Sequence, residues 1–316
     1  MPQFTITEPG ERLDLFVAAH SPQWSRSQIK RAIDDMQILV NQIPCTKAGQ
    51  KLRVGDCVSW DIPEAVDIDH PQPETGIDFK VLYEDPHLII IDKPAGLVVH
   101  PGAGHLSGTL VNGILSLYPE IAEIGESARP GIVHRIDAET SGLLLIARSQ
   151  ASYEKLVQMF SVHDIHRQYW AICHAPKLPD YGRFDTPYGR HPTQRVKYSS
   201  RFEAEKRAIT DYRVAARNEQ GFALVTCKLQ TGRTHQVRVH LSDHHAPILG
   251  DPLYAPPQIA HTKIIQRLAL HAQKLVFEHP VTREHCEFES PFPDDFRSAI
   301  QKLHLDVSVP QPASNP

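Results

Sequence analysis

Three stretches of the sequence place charged or aromatic side chains inside otherwise apolar patterns. The first, residues 129–147, reads RPGIVHRIDAETSGLLLIA and carries Asp137 in a loop that leads into an apolar run. A carboxylate at the edge of a protein core needs a cation or hydrogen-bond donors beside it. Asp137 is therefore a candidate catalytic carboxylate. The alternative is that it only accepts hydrogen bonds from the amides of its own turn, which is common for aspartate.

The second stretch, residues 229–241, reads LQTGRTHQVRVHL. Its polar and apolar residues alternate, which predicts a strand over Thr234–Leu241. One face of this strand would hold Thr234, Gln236, Arg238 and His240. Such a face is either solvated or lines a polar cleft. Arg233 lies in the turn before the predicted strand, where its guanidinium is placed to reach a phosphate.

The third stretch, residues 167–173, reads RQYWAIC and also predicts a strand. Alternation sends Trp170 to one face and Tyr169 to the other, beside Arg167. We expect Trp170 in the core. For Tyr169 the pattern allows both a core position and an aromatic surface on which a ligand stacks.

The composition is that of an ordinary globular protein, with 41% hydrophobic and 22% charged residues among 316. Apolar runs such as residues 142–147 are far shorter than the roughly 20 residues that span a bilayer, and no secretory signal is recognisable. The five cysteines form no Cys-x-x-Cys pair, as expected of a reduced cytoplasmic protein without structural zinc. Motifs for a catalytic metal, a dinucleotide, a phosphate loop or a serine esterase are also absent. We therefore expect no metal, no cofactor and no membrane partner.

Charge is strongly segregated along the chain, although the net charge is only −4. Residues 57–100 contain nine acidic and two basic side chains, whereas residues 161–240 contain fourteen Lys or Arg and seven Asp or Glu. A basic region of this kind fits a polyanionic partner. The plain alternative is a solvated surface.

The N-terminal part, residues 11–60, predicts a small α+β unit. Helical stripes occur in residues 11–20 and 25–36, and the second helix can begin at a serine cap, Ser25 or Ser27. Its outer face carries Arg26, Lys30 and Arg31. Short strands are predicted at residues 38–40, 50–54 and 57–60.

An acidic linker with three prolines is predicted for residues 61–78. Residues 79–303 are rich in short strands, predicted at 88–91, 142–147, 168–173 and 222–229 in addition to the one above. Helices are predicted at 109–117 and 149–160. The tail, residues 304–316, has little to bury and is expected to be disordered.

Residues 134–147, HRIDAETSGLLLIA, resemble the signature of the large-subunit ribosomal RNA pseudouridine synthases. Residues 167–169 and 232–241 are similar to the second and third motifs of that family. The similarity continues through residues 92–104, 189–193, 250–254 and 270–272. Residues 12–58 are similar to the small RNA-binding domain named after ribosomal protein S-four. Three minor departures are Ile136 where Leu is usual, Arg167 where Lys is common, and Trp170 after the tyrosine.

The resemblance implies an α+β enzyme with two domains. A small N-terminal α+β RNA-binding domain would be followed by a catalytic domain with a mixed, mainly antiparallel sheet flanked by helices. Such an enzyme breaks the C1′–N1 bond of a uridine in RNA and joins C5 to C1′, which requires no cofactor. The resemblance makes Asp137 the essential carboxylate, Arg238 the cation that keeps it ionised, and Tyr169 the aromatic residue under the base.

The same resemblance places His134 and Arg135 beside the position that the flipped uridine vacates. The predicted RNA-binding residues are therefore His134, Arg135, Arg233, Arg26, Lys30 and Arg31. Residues 100–104 and 108–112 are most similar to the branch that modifies helix 69 of the large-subunit RNA, free or in an assembly intermediate. The alternatives are the same reaction on transfer RNA and a non-catalytic RNA-binding or ribosome-assembly factor on this fold. We expect a cytoplasmic monomer.

Overall fold

The computed structural model describes residues 3–60 except Gln23 and Ser25, and residues 69–305 except Ala103. The side chains of Ser27 and Arg31 also lie outside the described part. The chain forms two compact units, Met1–Asp67 and Ile68–Pro316. Within the described ranges, no helix is long and apolar enough to cross a membrane.

The first unit combines a four-stranded antiparallel sheet with two helices. Its elements are β1 (Gln3–Thr5), α1 (Leu13–His20), α2 (Arg26–Asp34), β2 (Ile38–Val40), β3 (Ile43–Pro44) and β4 (Cys57–Trp60). The strand order is β1-β4-β2-β3. The core is formed by Leu13, Val17, Ile29, Ile33 and Trp60 among others.

Two details of this unit differ from the sequence prediction. Met36 lies beyond α2, has a left-handed backbone (φ 59°) and is 58% exposed. The strand predicted at residues 50–54 is wrong, because Lys51 forms only an isolated bridge. The carbonyls of Ala48 and Gln50 instead accept the first free amides of α1, which any helix start must satisfy. Helix α2 begins at Arg26, so the prediction of Ser27 as its cap is wrong, whereas Ser25 falls outside the described part.

The second unit is larger. Its strands are β5 (Lys80–Glu84), β6 (Leu88–Lys93), β7 (Ser141–Ala147), β8 (His166–His174), β9 (Tyr181–Pro187), β10 (Gly189–Arg190), β11 (Tyr198–Ser199), β12 (Arg207–Arg217), β13 (Phe222–Leu229), β14 (Leu270–Glu278) and β15 (His285–Glu289). Its helices are α3 (Leu110–Leu117), α4 (Gln150–Ser161), α5 (Gln236–Asp243), α6 (Pro257–Ala260) and α7 (Asp294–Lys302), with a 3-10 turn at Pro119–Glu123.

Nine of these strands form one sheet, in the order β5-β6-β7-β14-β8-β13-β12-β9, with β15 paired to β14. All neighbours are antiparallel except β7 and β14, which are parallel. Thus β14, late in the sequence, lies between β7 and β8. Helix α4 packs on β7 and α5 packs on β12. The predicted mixed, mainly antiparallel sheet with flanking helices is confirmed.

The acidic segment before β5 is partly packed on this unit. The amide of Glu74 donates to the carbonyl of Asn112 in α3, and the Asn112 side chain donates to the carbonyl of Gln72. The Glu74 carboxylate accepts the amide of Gly108. Residues 61–68 of the predicted linker and residues 306–316 of the predicted tail fall outside the described ranges.

The strand predicted over Thr234–Leu241 is wrong, because residues Gln236–Asp243 form α5. The prediction rested on the β-branched Val237 and Val239 and on the alternation of polar and apolar residues. In the structure every residue from Gln236 to Leu241 is buried, so the polar residues of this segment do not indicate a face that points to solvent. Tertiary contacts therefore override a weak local preference.

The contacts of α5 follow the helical period. Val237 and Leu241 belong to the main core. Gln236 and His240, also four residues apart, both hydrogen-bond to the Thr210 hydroxyl of β12, at 2.9 Å each. Alternation would place Gln236, Arg238 and His240 on one face. In the helix Gln236 and His240 face β12, whereas Arg238, which lies between them in sequence, points to Asp137 instead.

Candidate active site

Asp137 lies in the loop that leads into β7. Its carbonyl oxygen accepts the amide of Thr140 at 3.1 Å, so a tight turn separates it from Ser141, the first residue of the strand. All seven residues of β7 are buried, which anchors one end of the loop. The Asp137 carboxylate is 17% exposed and lines a cleft.

The guanidinium of Arg238 joins two carboxylates. Its Nε and Nη2 donate to the two oxygens of Asp251 at 2.8 Å each, and its Nη1 donates to Oδ2 of Asp137 at 3.0 Å. Burial alone would lower the pKa of Arg238, but the hydrogen bonds and charge of Asp251, with those of Asp137, raise it overall. The ion pair of Asp137 and Arg238 that the sequence suggests is therefore present, although Arg238 comes from a helix.

A histidine and a tyrosine approach Asp137 from its other side. Nε2 of His235 lies 3.9 Å from Oδ1 of Asp137. Nδ1 of His235 lies 2.9 Å from the hydroxyl of Tyr254, which also accepts the amide of Tyr198. Burial lowers the pKa of His235, so its ring is held neutral near pH 7. The ring of Tyr254 packs 5.1 Å below the Arg238 guanidinium.

Lys93 fixes the backbone next to Asp137. It is fully buried at the end of β6. Its Nζ donates to the carbonyls of Pro94, Leu97 and Ala138 at 2.7, 2.8 and 2.8 Å. Burial lowers the pKa of Lys93 to about 7. The lysine thus ties the Asp137 loop to the segment that follows β6.

Strand β8 forms one wall of the cleft. Tyr169 and Arg167 line the cleft, whereas Trp170 packs edge-on against Phe292 with ring centres 5.5 Å apart. The alternation predicted along this strand is confirmed, and so is the core position of Trp170. Tyr169 is buried, and its burial raises the pKa of the hydroxyl.

The cleft has a volume of about 490 Å³. Arg135 and Arg233 are exposed residues of its lining, and Nε of Arg233 donates to the carbonyl of Arg207. His134 is held differently. Its Nε2 accepts the amide of Leu145 at 2.9 Å, its ring stacks on Phe160, and burial lowers its pKa to about 3. His134 therefore meets any ligand as a neutral ring.

The cleft brings together six of the residues singled out from the sequence. They are Asp137, Tyr169, Arg238, His134, Arg135 and Arg233. Arg26 and Lys30 are instead exposed on α2 of the first unit, and the side chain of Arg31 lies outside the described part. In the described ranges no group of His, Cys, Asp or Glu side chains is arranged to hold a metal ion.

Comparison with known proteins assigns the family. A family model described as RNA pseudouridylate synthase matches residues 87–243, and one described as S4 domain matches residues 11–58. A protein of Bacillus subtilis named as an uncharacterized RNA pseudouridine synthase is 40% identical over 308 residues, which cover 96% of this chain and 99% of the relative. The chain belongs to the RNA pseudouridine synthase family.

Other relatives of this synthase carry more specific names. Two proteins called ribosomal large subunit pseudouridine synthase D, from Xanthomonas campestris and Pseudomonas aeruginosa, are each 38% identical, with 94% of this chain and 90% and 93% of the relatives covered. The human RNA pseudouridylate synthase domain containing 4 has a similar structure, with a TM-score of 0.56 and 26% identity over 72% of this chain and 94% of its own. The synthase is thus an isomerase that converts uridine to pseudouridine in RNA.

The sequence interpretation gave no role to Lys93, His235, Asp251 or Tyr254. All four occur in motifs that carry the family resemblance, but none stands out by residue type alone. Lys93 offers the clearest signal, because it is the last residue of a strand that begins with four consecutive fully buried residues. A lysine at that position must have acceptors inside the protein.

Proposed function

We propose that this enzyme isomerises uridines in large-subunit ribosomal RNA, most specifically in helix 69, with Asp137 as its essential carboxylate. The observation that carries the proposal is the ion pair of Asp137 and Arg238 in a cleft that Tyr169 also lines. The relatives named ribosomal large subunit pseudouridine synthase D support the choice of RNA. The similarity of residues 100–104 and 108–112 to the helix 69 branch supports the choice of site. Such a substrate puts the enzyme in the cytoplasm.

The reaction needs a carboxylate that stays ionised when RNA covers it. The C1′–N1 bond breaks, the base turns, C5 bonds to C1′, and the proton on C5 is lost while N1 gains one. Arg238 places a positive charge beside Asp137 and donates a hydrogen bond of 3.0 Å to its Oδ2. Asp137 would act by attack on C1′ or C6, or as a base toward the 2′ position. Tyr169 would support the detached base, and the cleft, once RNA covers it, would keep water from capturing that base.

RNA binding is assigned to two separate groups of residues. Arg135 and Arg233, both exposed in the lining of the cleft, would hold the strand around a flipped uridine, with neutral His134 beside them. Arg26 and Lys30 on α2, with Arg31, would make sequence-independent phosphate contacts in the S4 domain. The enzyme would act on RNA as a monomer.

The test is to map pseudouridine in ribosomal RNA from cells that lack the gene and from cells that regain it as wild type, Asp137→Asn or Asp180→Asn. Asp180 is a matched control because its side chain is 81% exposed and does not line the cleft. We expect loss of helix 69 pseudouridines without the gene, and recovery with wild type and Asp180→Asn only. Unchanged ribosomal RNA would redirect the search to transfer RNA.

The role of Asp137 is tested with purified protein. Asp137→Asn keeps the shape of the side chain but removes the nucleophile or base, so turnover should vanish while RNA affinity changes little. Single-turnover rates and RNA binding are measured on the same preparation. A rate within tenfold of wild type, a barrier change of only about 1.4 kcal/mol, would contradict the assignment.

A further inference from the structure

Arg167 is a buried cation without an anion beside it. The residue is only 8% exposed. Within the described ranges its guanidinium makes no hydrogen bond or ion pair, and its Nε is shielded from solvent. Arg238 is equally buried but holds two carboxylates. An unpaired buried charge lowers the stability of the folded protein. A ligand that binds Arg167 would account for the presence of this residue.

The guanidinium of Arg167 lies at the wall of the catalytic cleft. Its central carbon is 5.3 Å from the centre of the Phe160 ring. A Cβ atom at Gly232 would lie 2.5 Å from its Nη1, with the other guanidinium atoms Cζ and Nη2 next at 3.5 and 3.6 Å. Phe160 and Gly232 both line the cleft. Tyr169 follows two residues later on the same face of β8, roughly 7 Å along the strand.

We propose that Arg167 binds one backbone phosphate of the RNA, at a nucleotide adjacent to the uridine that enters the cleft. This assignment rests on the proposed function and adds a phosphate subsite to it. A phosphodiester supplies the full negative charge that the buried guanidinium lacks, and it accepts two parallel hydrogen bonds from the guanidinium fork. A uracil carbonyl is neutral and would leave the charge uncompensated. The spacing from Tyr169, about one nucleotide, suits a phosphate that flanks a base stacked on that ring.

The first test measures affinity for a transcript of the helix 69 stem-loop over a series of salt concentrations. All proteins carry Asp137→Asn so that no RNA is converted. Loss of one phosphate contact in Arg167→Met should reduce the slope of log affinity against log salt by about 0.7 to 0.9. Arg167→Lys keeps a cation and should retain most of the slope. Arg183→Met is the control, because Arg183 is an exposed arginine on β9 whose side chain pairs with Asp211.

The second test locates the phosphate. Stem-loops with a single neutral methylphosphonate on either side of each loop uridine are bound to wild type and to Arg167→Met. The methylphosphonate at one position should weaken binding to wild type at least fivefold. The same substitution should leave binding to Arg167→Met unchanged, as in a double-mutant cycle. Gly232→Ala should reproduce part of the loss, because its methyl group displaces Nη1 without removing the charge.

The third measurement separates this role from a structural one. If Arg167 is held for a ligand, Arg167→Met removes an unpaired buried charge, and the free protein should melt at a higher temperature than wild type. A lower melting temperature would make Arg167 structural and overturn the proposal. An unchanged salt slope with weaker binding would assign a neutral acceptor such as a uracil carbonyl and overturn it equally. Failure of the proposed function would show differently, as wild-type protein that binds the stem-loop but forms no pseudouridine in it.

Discussion

At the scale of single residues, Asp251 controls where Arg238 lies. Arg238 makes two hydrogen bonds to Asp251 and one to Asp137, and Asp251 is itself fixed by the amides of Leu253 and Tyr254. The cation next to the Asp137 loop is thus oriented by a second carboxylate, which is fully buried. Removing that carboxylate leaves Arg238 partly unpaired in a buried site.

We expect Asp251→Asn to lower both the rate and the stability. Breaking a buried ion pair costs about 3–5 kcal/mol, and a displaced Arg238 no longer supports the ionised Asp137. Single-turnover kinetics should show at least a tenfold slower conversion, and thermal unfolding should begin earlier. The matched control is Asp295→Asn. Asp295 also makes a bidentate pair with an arginine, Arg267, but the Asp295 carboxylate is 48% exposed. Equal behaviour of the two variants would contradict the role of Asp251.

Lys93 predicts a particular dependence of stability on pH. Its pKa is lowered to about 7 in the folded protein, whereas an unfolded lysine titrates near 10.4. Between these values the unfolded chain binds the additional proton, so stability rises as pH increases. We expect the melting temperature of wild type, measured relative to that of Lys93→Met, to rise as the pH is raised from 6.5 to 9. A constant difference between the two proteins across that range would show that Lys93 does not titrate there.

At the scale of elements, one glycine governs the parallel pair formed by β7 and β14. Gly142 on β7 has φ +110°, and a Cβ there would lie 2.2 Å from the backbone oxygen of Ala272 on β14. Neither the strain nor the collision can be relieved by a side-chain rotation. The register Ser141–His271 and Gly142–Ala272 therefore depends on this residue.

We expect Gly142→Ala to destabilise the second unit by more than about 4 kcal/mol, since it combines backbone strain with a backbone collision. Gly102→Ala is the control, because Gly102 has no atom within 4 Å of its Cβ position and no positive φ. Denaturant unfolding of both variants measures the difference. A Gly142→Ala protein as stable as the control would mean that β7 and β14 can separate without loss.

How well the sequence predicts an element depends on what buries it. The run at β7 is apolar from Gly142 to Ala147, and β13 begins with the apolar residues Phe222–Val225, so both strands are recognisable from the sequence alone. The sequence does not predict helix α5, because its buried polar residues find their hydrogen-bond partners in distant parts of the chain, such as Thr210 on β12 and Thr186 on β9. The gathering of Asp137, Tyr169 and Arg238 was expected from motif similarity. The role of Asp251 was not, because a bidentate partner is defined by geometry that spacing does not encode.

At the scale of the whole molecule, the proposed contributions of the two units to the reaction differ. The cleft is lined by residues 133–270 of the second unit, and the S4 domain match ends at residue 58. A cut before Ile68 preserves the contacts of Gln72 and Glu74 with α3.

We expect the fragment Ile68–Pro316 to fold and to isomerise a good substrate, with weaker binding and a smaller salt dependence than the full chain. Both differences follow from the loss of phosphate contacts on α2. Activity is measured at increasing protein concentration, with circular dichroism as the check on folding. A folded fragment that stays inactive at every concentration would show that the catalytic unit is not self-sufficient.

The position of β14 between β7 and β8 governs when a newly made chain becomes an enzyme. Synthesis delivers Asp137 and Tyr169 well before residues 270–278, and until that strand emerges no backbone ladder joins the half of the sheet that carries one to the half that carries the other. Arg238 arrives early as well, but it has no assembled cleft to enter. We therefore expect a chain whose synthesis stops before residue 270 to lack the strand that joins the Asp137 half of the sheet to the Tyr169 half.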